Sequence, residues 1–501
     1  MNIAKIRENK VLEEGERVSI LFQGKEITNF EYMRTSKKLV TALKDLNVKR
    51  GDRVIIQMPN CIEVIQSFGA VLRLGAVIVP INHLMGEDEI SYIYRDSGAK
   101  VVISSKEFLP KIRAAQAQAP EMKTIILTDD DVPGGCLSYH QIVDSSREEH
   151  DIVETRDDET AALIYTAGTT GRSKGVIHTH YSLYSNAKMQ YETQPFPEGM
   201  TNICVLPLCH SYGIAVINNG MFRMRTKTIL LNSFDLETIF SSIEKYKVNI
   251  MAGVPTMYVY MLLYPEPKKY DMSSMKYWVC GSAPLSLETW KKFKEVFGGE
   301  IIEGWGLTEA GANNASNPID GLKKVGSIGL PMKGTEMRIM GDDGKLLPPV
   351  KQGEIVLRAP SVMKGYWNKP KETEEILVDG WLHTGDVGYV DDDGYFWITD
   401  RKKDLIIKGG ENISPRTIEE PLYAHPKVSE AAVIGMKDDV YGENIKAFLV
   451  LKPGETTTAE EIIEYCKTKL KNFLLPKEVV FLKAFPKNLV GKILKKELRK
   501  L

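Results

Sequence analysis

The sequence predicts an α/β protein: a large N-terminal domain of layered α/β sheets that includes a small β-rich subdomain, followed by a small α+β C-terminal domain. Three observations predict this. Short, fully apolar runs alternate with helical patterns over roughly the first three hundred residues, as strands buried on both faces between helices do. After about Gly326, glycine, aspartate and aromatic residues become denser and the apolar runs shorten between turns. The last stretch of chain then carries two strand patterns and one helical pattern of its own.

Within the first part, residues 53–58 (Arg-Val-Ile-Ile-Gln-Met) read as a strand, because β-branched side chains suit a pleated, buried surface. Residues 62–74 have the spacing of an amphipathic helix, and 76–81, 100–104 and 124–128 repeat the strand pattern. In the β-rich part, Gly341-Asp342-Asp343-Gly344 and Asp392-Asp393-Gly394 are turn sequences between short strands, predicting a small barrel or curved sheet. In the last part, 431–434 and 446–450 read as strands and 459–471 as a helix. The charged stretch Asp400-Arg401-Lys402-Lys403-Asp404 separates two apolar strands, so domains are expected at 1–399 and 400–501.

A chain of 501 residues is too long for one core. Its 65 basic and 66 acidic residues nearly cancel, which gives no electrostatic footprint for nucleic acid. Cys61, Cys136, Cys204, Cys209, Cys280 and Cys466 form no C-x-x-C pair and have no nearby His cluster, as expected of buried thiols in a reducing compartment. Residues 1–8 alternate charged and apolar types and lack the apolar core of a secretory signal. No run reaches bilayer-spanning length, 75–81 being far too short. A cytoplasmic enzyme is the expectation.

The strongest chemical signal is Leu163-Ile164-Tyr165-Thr166-Ala167-Gly168-Thr169-Thr170-Gly171-Arg172-Ser173-Lys174-Gly175-Val176. Glycines let backbone N–H groups approach an anion, threonine hydroxyls add donors, and a lysine supplies compensating charge. Thr166, Gly168, Thr169, Thr170, Gly171 and Lys174 are therefore candidate polyphosphate contacts. The loop is not of the Walker kind, since Lys174 follows Ser173 and precedes Gly175.

This segment resembles the signature loop of the adenylate-forming superfamily, which includes acyl-CoA synthetases, peptide-synthetase adenylation domains and beetle luciferases. Ala167 stands where Ser is usual, and Ser173 where Pro is usual. Further motifs follow in the order that family has, over essentially the whole chain. Gly304-Trp305-Gly306-Leu307-Thr308-Glu309 resembles the segment in which an aromatic ring stacks on adenine, the Thr hydroxyl bonds a phosphate oxygen and the Glu helps hold Mg²⁺. Trp305 replaces the more usual Tyr. Gly281-Ser282-Ala283-Pro284 resembles the turn that gives backbone contacts to adenine and one wall of the acyl pocket. Trp381-Leu382-His383-Thr384-Gly385-Asp386 resembles the ribose motif, whose carboxylate accepts from two vicinal hydroxyls.

The same resemblance implies that Arg401 contacts ribose and phosphate, that Lys403 is a hinge, and that the C-terminal domain is mobile. Phe485-Pro486-Lys487-Asn488-Leu489-Val490-Gly491-Lys492 resembles the loop carrying the catalytic lysine, here Lys492. Lys408-Gly409-Gly410-Glu411 resembles the thioester-forming face, with Gly410 lining a pantetheine tunnel. Leu206-Pro207-Leu208-Cys209-His210-Ser211-Tyr212-Gly213 resembles the segment bordering the acyl pocket, with His210 at its gate.

The implied reaction uses ATP, Mg²⁺ and coenzyme A. A carboxylic acid and ATP give an acyl-adenylate and pyrophosphate, and CoA then gives acyl-CoA and AMP. His210, Tyr212, Val254, Gly281 and Gly311 are expected at the acyl site. A medium- or long-chain fatty acid is the expected substrate, with an aryl or arylpropenoic acid as the alternative. A luciferase-like oxygenase and a non-catalytic nucleotide-binding module are the competing readings, and Lys492, Asp386 and Glu309 argue against the second. Peripheral membrane contact, and the choice between monomer and homodimer, stay open.

Overall fold

The computed structural model describes residues 1–501 apart from 167–171, 212, 215–221, 223–224 and 488–491, and apart from the side chains of Lys268 and Asn412. The described residues form four sheets.

The runs read as buried strands assemble side by side. Val77–Pro80, Arg53–Gln57, Val101–Ser104 and Thr124–Leu127 are parallel neighbours at the centre of an eight-stranded sheet. Thr160–Thr166 extends it beside Val77–Pro80, and the antiparallel strands Lys174–Thr179 and Gly365–Tyr366 complete that side. A nine-stranded sheet has a parallel centre of Val18–Phe22, Lys227–Leu230, Thr201–Cys204, Ile250–Gly253, Tyr277–Cys280 and Glu300–Trp305. Short antiparallel strands finish both of its edges.

Helices Asn29–Asp45 and Ile62–Arg73 lie between the two sheets, because each is apolar on more than one face. Leu39, Leu43 and Val71 share one apolar cluster with Val54 and Ile78 of one sheet and Ile20 and Leu230 of the other. Helices Leu236–Tyr246, Pro255–Leu263 and Leu287–Phe297 cover the outer face of the nine-stranded sheet. Glu87–Ser97 and Leu109–Gln118 cover that of the eight-stranded sheet. The result is a layered α/β body, as the alternating pattern predicts.

The β-rich part is an open antiparallel sheet, not a closed barrel: Glu336–Met340, Gly353–Arg358, Trp381–Val390 and Leu377–Val378 in order, with Phe396–Arg401 pairing to Trp381–Val390. The charged seam follows as a single 3₁₀ turn, Lys402–Asp404. The fourth sheet is built on the long antiparallel pair Val428–Asp438 and Gly442–Leu451. Ile406–Lys408 and Glu411–Ile413 flank it on one side, and Glu478–Phe481 pairs parallel to Gly442–Leu451. The helix expected over 459–471 is shorter, Ala459–Lys467. The Thr468 hydroxyl donates to the Tyr465 carbonyl (2.7 Å) and the Leu470 N–H to the Cys466 carbonyl (2.8 Å), so the chain turns off and packs Leu470 against the local core.

Candidate active site

Four parallel strands, Thr201–Cys204, Ile250–Gly253, Tyr277–Cys280 and Glu300–Trp305, end at one edge of the nine-stranded sheet, the edge at which open α/β sheets bind ligands. The segments leaving those ends carry His210, Val254, Gly281 to Pro284, and Trp305 to Gly311. The last segment folds back so tightly that a Cβ on Gly306 would stand 1.9 Å from the Ala312 carbonyl oxygen, so only glycine fits there. Gly281 lies almost as close to its neighbour strand, a Cβ there meeting the Gly304 oxygen at 3.2 Å.

Thr166 and Lys174 are register partners at the facing ends of two antiparallel strands. Gly168, Thr169, Thr170 and Gly171 fall between them in the chain and lie outside the described residues, as does Tyr212. The loop's far side is tied to the helix Glu87–Ser97: the Ser173 N–H donates to Glu89 Oε1 at 3.1 Å, and Arg172 lies 5.2 Å from the Tyr92 ring centroid. Lys174 Nζ stands 4.9 Å from the ring centroid of Tyr366, whose hydroxyl donates to Glu309 Oε1 at 2.8 Å. One tyrosine thus joins the phosphate-loop lysine to the candidate metal carboxylate.

Beside it, the Thr308 hydroxyl lies 3.2 Å from Ser211 Oγ, and the Thr308 carbonyl lies 2.8 Å from His178 Nε2. Burial lowers the His178 pKa to about 4, so the neutral imidazole donates through Nε2 to the carbonyl. This bond holds the turn that presents Thr308 and Glu309.

Asp386 is buried and has a partner on each oxygen. Trp305 Nε1 donates to Oδ2 at 2.9 Å, and the Arg401 guanidinium forms an ion pair with Oδ1, Nε lying 2.6 Å away. The Trp305 ring is only 8% exposed and belongs to an apolar cluster with Ala315, Met337, Ile355 and Leu382. Lys492 comes to the same place from the C-terminal segment. Lys492 is exposed, yet the surrounding protein displaces enough water to lower its pKa to about 8. The charges of Arg401 and Lys403 push the same way, while Asp386 and Asp404 oppose them. The His210 ring retains some surface open to the site but is enclosed by protein, and burial, then the charge of Lys492, hold its pKa down, to about 4. Ribose-binding and acyl-gate candidates therefore meet around one lysine.

Two further candidates lie apart from this cluster. Gly409 (φ +60°) and Gly410 (φ +86°) form an exposed two-residue turn between Ile406–Lys408 and Glu411–Ile413. Both positive φ values match the turn type that favours glycine in tight hairpins. A Cβ on Gly410 would meet nothing within 4 Å.

Tyr366, His178 and Ser211 were not among the sequence candidates. Each acts on a residue far away in the chain; Ser211 lies inside the segment bordering the acyl pocket, but no local motif marks Tyr366 or His178. Also unmarked is a cavity of about 220 Å³ on the inner face of the nine-stranded sheet. Its floor includes Ala252, Val279 and Ile302, which are register partners on adjacent strands, and it runs from Asn313 and Ser316 to Ile20. Val254 and Gly281 stand two residues beyond Ala252 and Val279, at the carboxyl ends of the same strands. One signature is visible in the exposure pattern: Ile250, Ala252, Tyr277 and Val279 are half-exposed on central strands whose alternate residues are buried.

Glu309, whose carboxylate accepts from Tyr366, offers the kind of oxygen ligand a hard cation takes. Among the described residues no group of three or more His, Cys, Asp or Glu could hold a metal ion. That arrangement fits Mg²⁺, which is commonly bound through one or two carboxylates together with substrate phosphates.

Comparison with known proteins gives the family. The family model described as AMP-binding enzyme matches residues 8–367, and that described as AMP-binding enzyme C-terminal domain matches residues 417–492. A long-chain-fatty-acid–CoA ligase of Bacillus subtilis is 37% identical over 96% of this chain and 91% of its own length. A feruloyl-CoA synthase of an Amycolatopsis species is 34% identical over 95% of this chain and 94% of its own. A crystal structure of an anthranilate CoA ligase in complex with anthranoyl-AMP superimposes with a TM-score of 0.95 at 28% identity, covering 100% of this chain and 97% of that one.

Proposed function

The chain belongs to the AMP-binding enzyme family, and from that premise we propose that it is an AMP-forming acyl-CoA ligase acting on medium- or long-chain fatty acids. The observation that carries the choice of acid is the cavity. From Ser316 to Ile20 it crosses six strand-to-strand steps of the sheet, each about 4.8 Å and roughly 29 Å in all. That span lays out an extended acyl chain. An aryl or arylpropenoic acid is the second reading, supported by similarity to the feruloyl-CoA synthase, and would fill only the end near Asn313.

In the first half-reaction a carboxylate oxygen attacks the α-phosphorus of ATP, and pyrophosphate leaves with the electron pair of the broken P–O bond. Lys492, within electrostatic reach of Asp386 and His210, stabilises the charge that builds on the α-phosphate oxygens. Asp386 and Arg401 hold the ribose, Lys174 with the Thr/Gly loop holds the outer phosphates, and Thr308 donates to a phosphate oxygen. Glu309 would hold Mg²⁺, which would supply neutralisation of the phosphate charge when bound. A neutral His210 at the gate can flank the carboxylate without binding it as a rival cation.

In the second half-reaction the CoA thiolate attacks the acyl carbonyl and AMP leaves. The mixed anhydride is already reactive, so the enzyme's task is to position the thiol and exclude water. We assign residues 1–399 and 400–501 to two domains that rotate about Lys403, withdrawing Lys492 and bringing Gly409-Gly410 to the site. The exposed turn at Gly409 and Gly410 supports this: the face needed second is held in solvent while Lys492 occupies the cleft.

The test supplies purified protein with Mg-ATP, CoA and a series of fatty and aryl acids, and measures pyrophosphate and thioester separately. Both products are expected with fatty acids. Pyrophosphate without thioester would remove CoA as the acceptor, and no pyrophosphate with any acid would overturn the reading.

A further inference from the structure

We infer that the indole N–H of Trp305 is a positioning group for the ribose carboxylate, fixing Asp386 so that it engages both hydroxyls of the ribose at once. The inference rests on the assignment of Asp386 to ribose made above.

An ionised carboxylate offers about four acceptor sites, two on each oxygen. In this structure one site on Oδ2 is taken by the Trp305 N–H, while the Arg401 guanidinium pairs with Oδ1 as an ion pair. That leaves at least one on each oxygen, which meets the demand of a vicinal diol presenting two O–H donors. The two partners do not hold Asp386 equally well. Arg401 is partly exposed and lies two residues from Lys403, in the seam about which the C-terminal part would rotate. Trp305 is locked in the apolar cluster beneath the site. It is the partner whose place does not depend on the seam.

The geometry also gives chemical meaning to a departure from the family pattern. A tyrosine carries its donor at the far tip of the ring, whereas an indole carries it on the side of the five-membered ring. With only 8% of Trp305 exposed, little of its face is left for stacking, and its polar edge points at Asp386. Asp386 is itself 2% exposed, so loss of that donor leaves a buried carboxylate oxygen short of a partner.

Calorimetry of AMP and 2′,3′-dideoxy-AMP binding to the wild type and to Trp305→Phe tests this without turnover. The variant is expected to bind AMP roughly ten-fold more weakly, the usual worth of a hydrogen bond to a charged group. It should bind the dideoxy nucleotide within about two-fold of the wild type, since that ligand makes no use of Asp386. Equal weakening of both nucleotides would mean that Trp305 acts on adenine or on packing, and would overturn the inference. So would no change in either. If the wild type itself bound both nucleotides alike, the assignment of Asp386 to ribose would fall instead. Should Trp305→Phe fold poorly, benzothienylalanine at 305, with sulfur in place of the N–H and the ring shape kept, gives the same comparison.

Discussion

Tyr366 donates its hydroxyl to Glu309 Oε1 across 2.8 Å while its ring faces the Lys174 ammonium at 4.9 Å. Groups that orient a metal-binding carboxylate typically change metal affinity or activity by roughly 10- to 100-fold when removed. Tyr366→Phe keeps the ring under Lys174 and deletes only the hydroxyl. Half-saturation by Mg²⁺ in the pyrophosphate-release assay is expected to rise roughly ten-fold, with the rate at saturating Mg²⁺ little changed. An unaltered Mg²⁺ titration would show that the bond to Glu309 is purely structural.

Lys492→Ala removes the ammonium that the first transition state needs and nothing that the second needs. Adenylate formation is expected to fall by roughly 10²- to 10³-fold. Chemically prepared acyl-adenylate should still be converted to thioester at a rate near that of the wild type. Equal loss in both half-reactions would contradict the rotation about Lys403.

The lowered pKa of Lys492, about 8, sets a pH limb. The charge is present below that value and is lost as pH rises through it. For adenylation, kcat/KM is therefore expected to decline above about pH 8, since this parameter reports the free enzyme. Thioester formation from preformed adenylate should lack this limb. Lys492→Arg retains its charge throughout the range and should lose the alkaline decline, whatever its absolute rate. A decline that persisted in the Arg variant would assign the limb to another group.

Ala252 lies in the middle of the cavity floor beside Val279. Ala252→Phe should block the path toward Ile20 while leaving the end at Asn313 open. Each excluded methylene is worth about 1–3 kcal/mol of discrimination, so kcat/KM for a sixteen-carbon acid is expected to fall at least ~100-fold. Short-chain and aryl acids should change little. Parallel losses for all acids would place the acyl chain elsewhere.

The α/β layering and the positions of the central strands were legible because each buried strand is a local run of β-branched residues, as in Arg53–Gln57 and Val101–Ser104. The turn at Gly409-Gly410 was visible as a glycine pair, though sequence alone could not separate a tunnel-lining role from the backbone requirement that positive φ imposes. Partnerships between distant residues were not legible. Trp305 meets Asp386 across 81 positions and Tyr366 meets Glu309 across 57, and neither partner's local sequence encodes the other. The acyl cavity escaped for a related reason: it is a shape made by residues on neighbouring strands, and Ala252 or Val279 taken singly looks like any core residue. The apolar spacing of 459–471 runs on through Leu470, while the backbone already turns at Thr468, so the helix ends earlier than the pattern does.

Ala252 and Val279, half-buried on the central strands, line a cavity at the centre of the fold. A fatty acid lying along Ala252 and Val279 would serve, in packing terms, as an interchangeable side chain of the protein. Anything that binds only the folded state raises its stability by mass action, and each methylene taken from water adds on the order of 0.8 kcal/mol. The melting temperature of the protein, measured with acids of rising length and no ATP, should climb and then level off at the length the fold was built to hold.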